Sequence, residues 1–134
     1  MKALTIGTFD CLHYGHLHLL MRCGDLADEV VVGVNSDRFV MSYKQTPPLF
    51  SEIERIYALE TLGYEVELNT SSGRELIESV EPDLLVIGSD WARKDYLAQI
   101  GVTQDWLDER SIIVAYVPYT RGISTTLIKE RLSA

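Results

Sequence analysis

Short apolar stretches alternate with helically spaced apolar positions along the whole chain. Residues 2 to 6, 30 to 34, 64 to 68, 84 to 87 and 112 to 117 read as strands. Val30-Val31-Val32-Gly33-Val34 and Leu84-Leu85-Val86-Ile87 carry no polar side chain, as strands covered on both faces should. Between strands, Leu19, Leu20, Cys23, Leu26 and Ala27 recur at helical spacing, and so do Ile53, Ile56, Leu59 and Leu62. Ser51 with Glu54 and Ser72 with Glu75 predict capping boxes, in which a hydroxyl and a carboxylate satisfy the first N–H groups of a helix.

This alternation predicts an α/β fold: a single-domain, Rossmann-like open parallel five-stranded sheet with right-handed crossovers and helices on both faces. Ligands of such sheets bind beyond the carboxyl ends of the strands, at the topological switch point. The segment after the first strand, the tail of the second, Gly88-Ser89-Asp90-Trp91 and Tyr119-Thr120-Arg121-Gly122 should therefore converge. Residues 41 to 50, with Lys44 and Pro47-Pro48, read as one long irregular loop of the kind that serves as a lid.

The most informative segment is Gly7-Thr8-Phe9-Asp10-Cys11-Leu12-His13-Tyr14-Gly15-His16, between the first strand and the first helix. A strand-to-helix turn gathers free backbone N–H groups and the positive end of the helix dipole at one point, which suits phosphate. His13 and His16 bring two imidazole donors to that point, and Gly15 leaves room for close approach. A zinc site of Cys11, His13, His16 and His18 is a weaker reading, because a structural site wants four converging ligands. Near the C-terminus, Gly122-Ile123-Ser124-Thr125-Thr126 opens a second helix with three hydroxyls and free N–H groups, again suited to an anion.

Composition narrows the partners. The 134 residues suit one domain, 1–134, and 46 % hydrophobic with 24 % charged residues is ordinary for a globular chain. No apolar run suggests a membrane span or a leader, so a cytoplasmic protein without membrane contact is expected. Cys11 and Cys23 are too few for a disulfide framework. A net charge of −8 argues against nucleic acid as a partner. A phosphate-binding chain of this charge must concentrate its cations at the site and borrow a divalent metal.

The motif is neither the three-glycine dinucleotide fingerprint nor a P-loop. It resembles the H-x-G-H motif of the nucleotidyltransferase superfamily, in the cytidylyltransferase form that has G-T-F-D ahead of it. Tyr119 to Thr126 resembles that family's R-T-E-G-I-S-T-T, with Tyr119 and Arg121 in place of the arginine and glutamate. Gly88-Ser89-Asp90-Trp91 resembles its G-D-D-W, Lys44 its phosphate-approaching lysine, and Arg55 an arginine of its E-x-R pattern.

The resemblance implies transfer of a nucleoside monophosphate from a nucleoside triphosphate to a phosphorylated small-molecule acceptor, with pyrophosphate released. His13, His16, Lys44 and Arg55 are then the catalytic set. Gly7, Thr8, Phe9, Asp10, Gly15, Asp90, Trp91, Thr120, Arg121, Gly122, Ile123, Ser124, Thr125 and Thr126 join His13, His16 and Lys44 in binding nucleotide. Mg²⁺ would be bound through the nucleotide phosphates, with no protein metal site, and a homodimer is implied. CMP moving from CTP onto a phosphorylated alcohol such as glycerol 3-phosphate is the leading expectation.

Adenylyl transfer from ATP to a sugar phosphate or FMN is the alternative, because Val32 to Asp37 and Glu81 to Val86 also resemble adenylyltransferases. A non-catalytic nucleotide-binding regulatory module is a third, motivated by Gly63, Ser89, Tyr119 and Arg121. Plainer roles stay open for single residues. Asp10 could cap the turn, Arg55 could pair on the surface with Glu52 or Glu54, Lys44 could be merely solvated, Trp91 could fill the core, and Ser124 to Thr126 could only cap a helix.

Overall fold

The five strands form in the computed structural model, which describes residues 1–88 and 96–118. They are β1 (Lys2–Gly7), β2 (Glu29–Asn35), β3 (Glu65–Asn69), β4 (Leu84–Gly88) and β5 (Ile113–Val117), all parallel, in the order β3-β2-β1-β4-β5. The chain winds outward from β1 to β3 on one side and then to β4 and β5 on the other. The switch point therefore lies between β1 and β4.

Strand alternation divides the core into two layers. Leu4, Ile6, Val31, Leu85 and Ile87 meet Leu76 and Ile77 of α4 (Gly73–Val80), Tyr96 of α5 (Tyr96–Gln99) and Leu107 of α6 (Gln104–Glu109). On the other face, Ala3, Leu84 and Val86 meet Cys23 of α1 (Tyr14–Leu26), while Val32 and Val34 meet Leu20 and, from α3 (Glu52–Thr61), Leu59. Helices thus cover both faces, as the uniformly apolar strands require. Gly33 shows how closely they approach: a Cβ there would stand 2.6 Å from a Leu76 methyl and 3.1 Å from Ile6.

Three local expectations are corrected. Residues 41 to 44 are not loop but the last half of α2 (Asp37–Lys44), which starts where Ser36 Oγ accepts from Phe39 N–H and ends at left-handed Gln45. In α3 the buried side chains are Arg55 and Leu59, whereas Ile53 is 76 % and Leu62 52 % exposed, so the helix is turned to bring an arginine inside. The Ser51–Glu54 capping box is present, but Ser72 makes no side-chain cap; Gly73 N–H, at the start of α4, donates instead to the Ile100 carbonyl at 2.7 Å. Gly63 follows α3 with φ +94°, where glycine is the favoured end of a helix.

The sheet is not uniform. β1 pairs with β2 over six positions, from Lys2 with Glu29 to Gly7 with Val34, but with β4 only at Ala3 with Leu84 and Leu4 with Leu85. Asp83 N–H donates to the Lys2 carbonyl, so the even-numbered carbonyls of β1 face β4. At Ile6 the partner is the buried Tyr96 hydroxyl, which donates to that carbonyl at 2.8 Å. The strands therefore part toward their carboxyl ends. Among the described residues no helix is long and apolar enough to cross a membrane.

Candidate active site

Beyond Gly7 the chain turns sharply, with Phe9 at φ 54° and Cys11 at φ 50°. Left-handed backbone at non-glycine residues costs roughly 1–3 kcal/mol each and persists only where the surroundings enforce it. Here the enforcement is visible. Phe9 is buried among Leu20, Val32, Val34 and Leu59, and the buried Asp10 carboxylate accepts from Leu49 N–H at 2.7 Å and Phe50 N–H at 3.0 Å.

The turn delivers the chain to α1 with His13 as its N-cap. His13 Nδ1 accepts from Gly15 N–H at 3.1 Å, and His16 Nδ1 accepts from His13 N–H at 3.2 Å. This is a capping box in which imidazoles replace the usual hydroxyl and carboxylate. A ring nitrogen that accepts carries no proton, so each neutral ring holds its hydrogen on Nε2. The backbone N–H groups of His13 and Gly15, read from sequence as open to an anion, are thus taken by the rings, and the rings present donors in their place. The two imidazoles stack with centroids 3.9 Å apart, and Phe9 lies 5.5 Å from His16.

Burial also keeps them neutral. It lowers the pKa of His13 below the usual range, and it pushes His16 down to about 4, with His13 adding to the effect and Asp10 opposing it. At neutral pH the pair is a fixed double donor that carries no charge.

Beneath the turn lies a second polar cluster. Arg55 is 2 % exposed and donates from Nε to the Phe50 carbonyl at 3.0 Å, from Nη1 to Thr8 at 2.7 Å and Asn35 at 2.8 Å, and from Nη2 to Asp37 Oδ1 at 2.7 Å. It clamps the turn after β1, the end of β2, the start of α2 and the approach to α3. Neither Glu52 nor Glu54 pairs with it: Glu52 accepts from Asp37 N–H and Glu54 caps its own helix. The guanidinium expected to meet an anion is held by backbone carbonyls and one carboxylate. Lys44, the last residue of α2, is exposed.

A family model described as cytidylyltransferase-like matches residues 4–131. The chain belongs to that family. It is 37 % identical to the glycerol-3-phosphate cytidylyltransferase of Bacillus subtilis (strain 168), over 98 % of this chain and 97 % of that protein. It is 36 % identical to the bifunctional protein HldE of a Nitratiruptor species over 96 % of this chain, which spans 27 % of that protein. A solved structure of the lipopolysaccharide core biosynthesis protein from Thermoplasma volcanium superposes with a TM-score of 0.72 at 27 % identity, covering 90 % of this chain and 96 % of that one.

Within this cytidylyltransferase-like chain, the structure brings Gly7, Thr8, Phe9, Asp10, His13, Gly15 and His16 together at the carboxyl end of β1, and Arg55 beneath them. Asp90, Trp91, Thr120, Arg121, Gly122, Ile123, Ser124, Thr125 and Thr126 lie outside the described residues. Sequence reading placed the tail of the second strand at the site but gave no individual role to Asn35, Asp37, Tyr43 or Asn69. The one available signal was polar residues closing two apolar strands, Asn35 on β2 and Asn69 on β3.

Proposed function

We propose that the protein moves CMP from CTP onto glycerol 3-phosphate and releases pyrophosphate. The observation that carries this reading is the imidazole capping box, which holds two neutral Nε2–H donors where β1 opens away from β4. The similarity to a named glycerol-3-phosphate cytidylyltransferase over nearly its full length supports the substrates.

In the proposed reaction an acceptor phosphate oxygen attacks the α-phosphorus in line as the pyrophosphate leaves. His13 and His16 donate from Nε2 to oxygens on which charge builds, and as neutral rings they do so without giving up a proton. A preorganised donor of this kind is worth about 10² to 10³ in rate. Lys44 supplies positive charge to the phosphates, while Arg55 holds the turn in shape from below. Further neutralisation would come from Mg²⁺ carried on the nucleotide phosphates. Both oxygens of Asp10, the carboxylate of the turn, sit on backbone amides, which fits an ion brought in by the nucleotide. A cytoplasmic homodimer completes the reading.

A second reading keeps the chemistry but takes ATP and a sugar phosphate. The 36 % identity to the bifunctional protein and the lipopolysaccharide-core fold neighbour favour it. Pyrophosphate release measured with CTP, ATP, GTP and UTP against glycerol 3-phosphate and sugar phosphates decides between them. Turnover with CTP and glycerol 3-phosphate is the expected result, and turnover with ATP alone, or with no triphosphate, rejects the proposal.

A further inference from the structure

Tyr43 lies in the last turn of α2, half-buried, with Phe39 packed edge-on at 5.2 Å. Its hydroxyl reaches across to the ends of two strands. Tyr43 Oη is 3.2 Å from Thr8 Oγ1 and accepts from Asn35 Nδ2 at 3.3 Å. Buried Asn69 fixes the amide behind it, because its Nδ2 donates to Asn35 Oδ1 at 3.0 Å and so turns the Asn35 NH₂ group toward the tyrosine.

Either hydroxyl can donate across the 3.2 Å contact; Tyr43 Oη already accepts from Asn35 and the phenol is the more acidic of the two, so we take its hydrogen to go to Thr8 Oγ1. The threonine's own hydroxyl hydrogen then has no acceptor among the described residues. Its carbonyl is occupied on the other side by Arg55. Hydrogen bonds in such a chain polarise one another, so the last hydroxyl is a stronger donor than an isolated one.

We infer that Tyr43 is a positioning residue: the ordered series Asn69, Asn35, Tyr43, Thr8 commits the Thr8 hydroxyl hydrogen to the phosphate held at the head of α1. The inference rests on the reading that this turn grips phosphate. A tyrosine whose only task is to pack α2 has no need of a hydroxyl bonded to two strand ends.

The experiment is a double-mutant cycle on the full chain, with inorganic pyrophosphate as the probe and binding measured by calorimetry. Tyr43→Phe weakens binding about fivefold and Thr8→Val about tenfold or more, in line with bonds to neutral and charged partners respectively. The double variant binds no more weakly than Thr8→Val alone, because the tyrosine acts through that hydroxyl. In a Thr8→Ser background, which keeps the hydroxyl, the Tyr43→Phe effect returns. Losses that multiply in the double variant, an unchanged Tyr43→Phe, or a wild-type chain that binds no pyrophosphate each overturn the inference. Turnover with CTP is assayed separately. Coupling without turnover removes the proposed reaction and leaves the inference standing; turnover with multiplying losses does the reverse.

Discussion

Two polar clusters sit one above the other at the carboxyl end of β1, and they treat their hydrogen bonds in opposite ways. Below, Arg55 and Asp10 are buried and engage the backbone of three separate segments. Above, His13 and His16 use only Nδ1 on the backbone, and among the described residues their Nε2–H groups have no acceptor. Saturated groups hold the scaffold, and groups with donors left over are the ones available for chemistry. A charged residue type alone does not reveal which kind it is.

The sharpest way to break this contrast is to remove the lower clamp. Arg55→Met leaves three carbonyls and Asp37 without their donor, and unfolding in urea should show a loss of about 3–5 kcal/mol. A loss below about 1 kcal/mol would return Arg55 to the phosphate site. The opposite signature belongs to His16→Ala, for which kcat should fall about 10²- to 10³-fold, or roughly 3–4 kcal/mol of barrier, with CTP affinity little changed. Comparable falls in affinity and turnover would contradict the division of labour.

Acid should tell the clusters apart next. His16 titrates at about 4 in the folded protein against 6.5 when unfolded, so the unfolded chain binds more protons between those values. Stability is therefore full above pH 6.5 and falls on acidification, by up to about 3 kcal/mol at pH 4, with His13 acting in the same direction. Denaturation of wild type and His16→Asn at pH 4.5 and 7.5 checks this, since the variant lacks that part of the slope. The smallest effect is expected from Asp10→Asn, which swaps one carboxylate acceptor for an amide and should lower stability by about 1–2 kcal/mol. An unchanged melting temperature would show that Leu49 and Phe50 do not depend on that charge.

The sheet was legible in the sequence because burial on both faces leaves runs such as Val30 to Val34 and Leu84 to Ile87 without polar interruption. The histidine turn was legible because its chemistry is compressed into ten consecutive residues. The clamping role of Arg55 was not: the resemblance named it as catalytic, and beside Glu52 and Glu54 on a helix it has the pattern of a surface ion pair. What draws it inward are carbonyls at positions 8, 35 and 50, and nothing local records their meeting. Tyr43 and Asn69 were hidden for the same reason, as was α2, whose apolar residues are too few to outweigh the prolines behind it.

The brief pairing of β1 with β4 joins the half-sheets β3-β2-β1 and β4-β5, among the described residues, by two pairs of residues with the Asp83–Lys2 bond at one end and the Tyr96 phenol at the other. The main-chain groups of β1 that a longer ladder would have paired with β4 are thereby left to side chains, and the Ile6 carbonyl, held by the buried Tyr96 phenol, is the first of them.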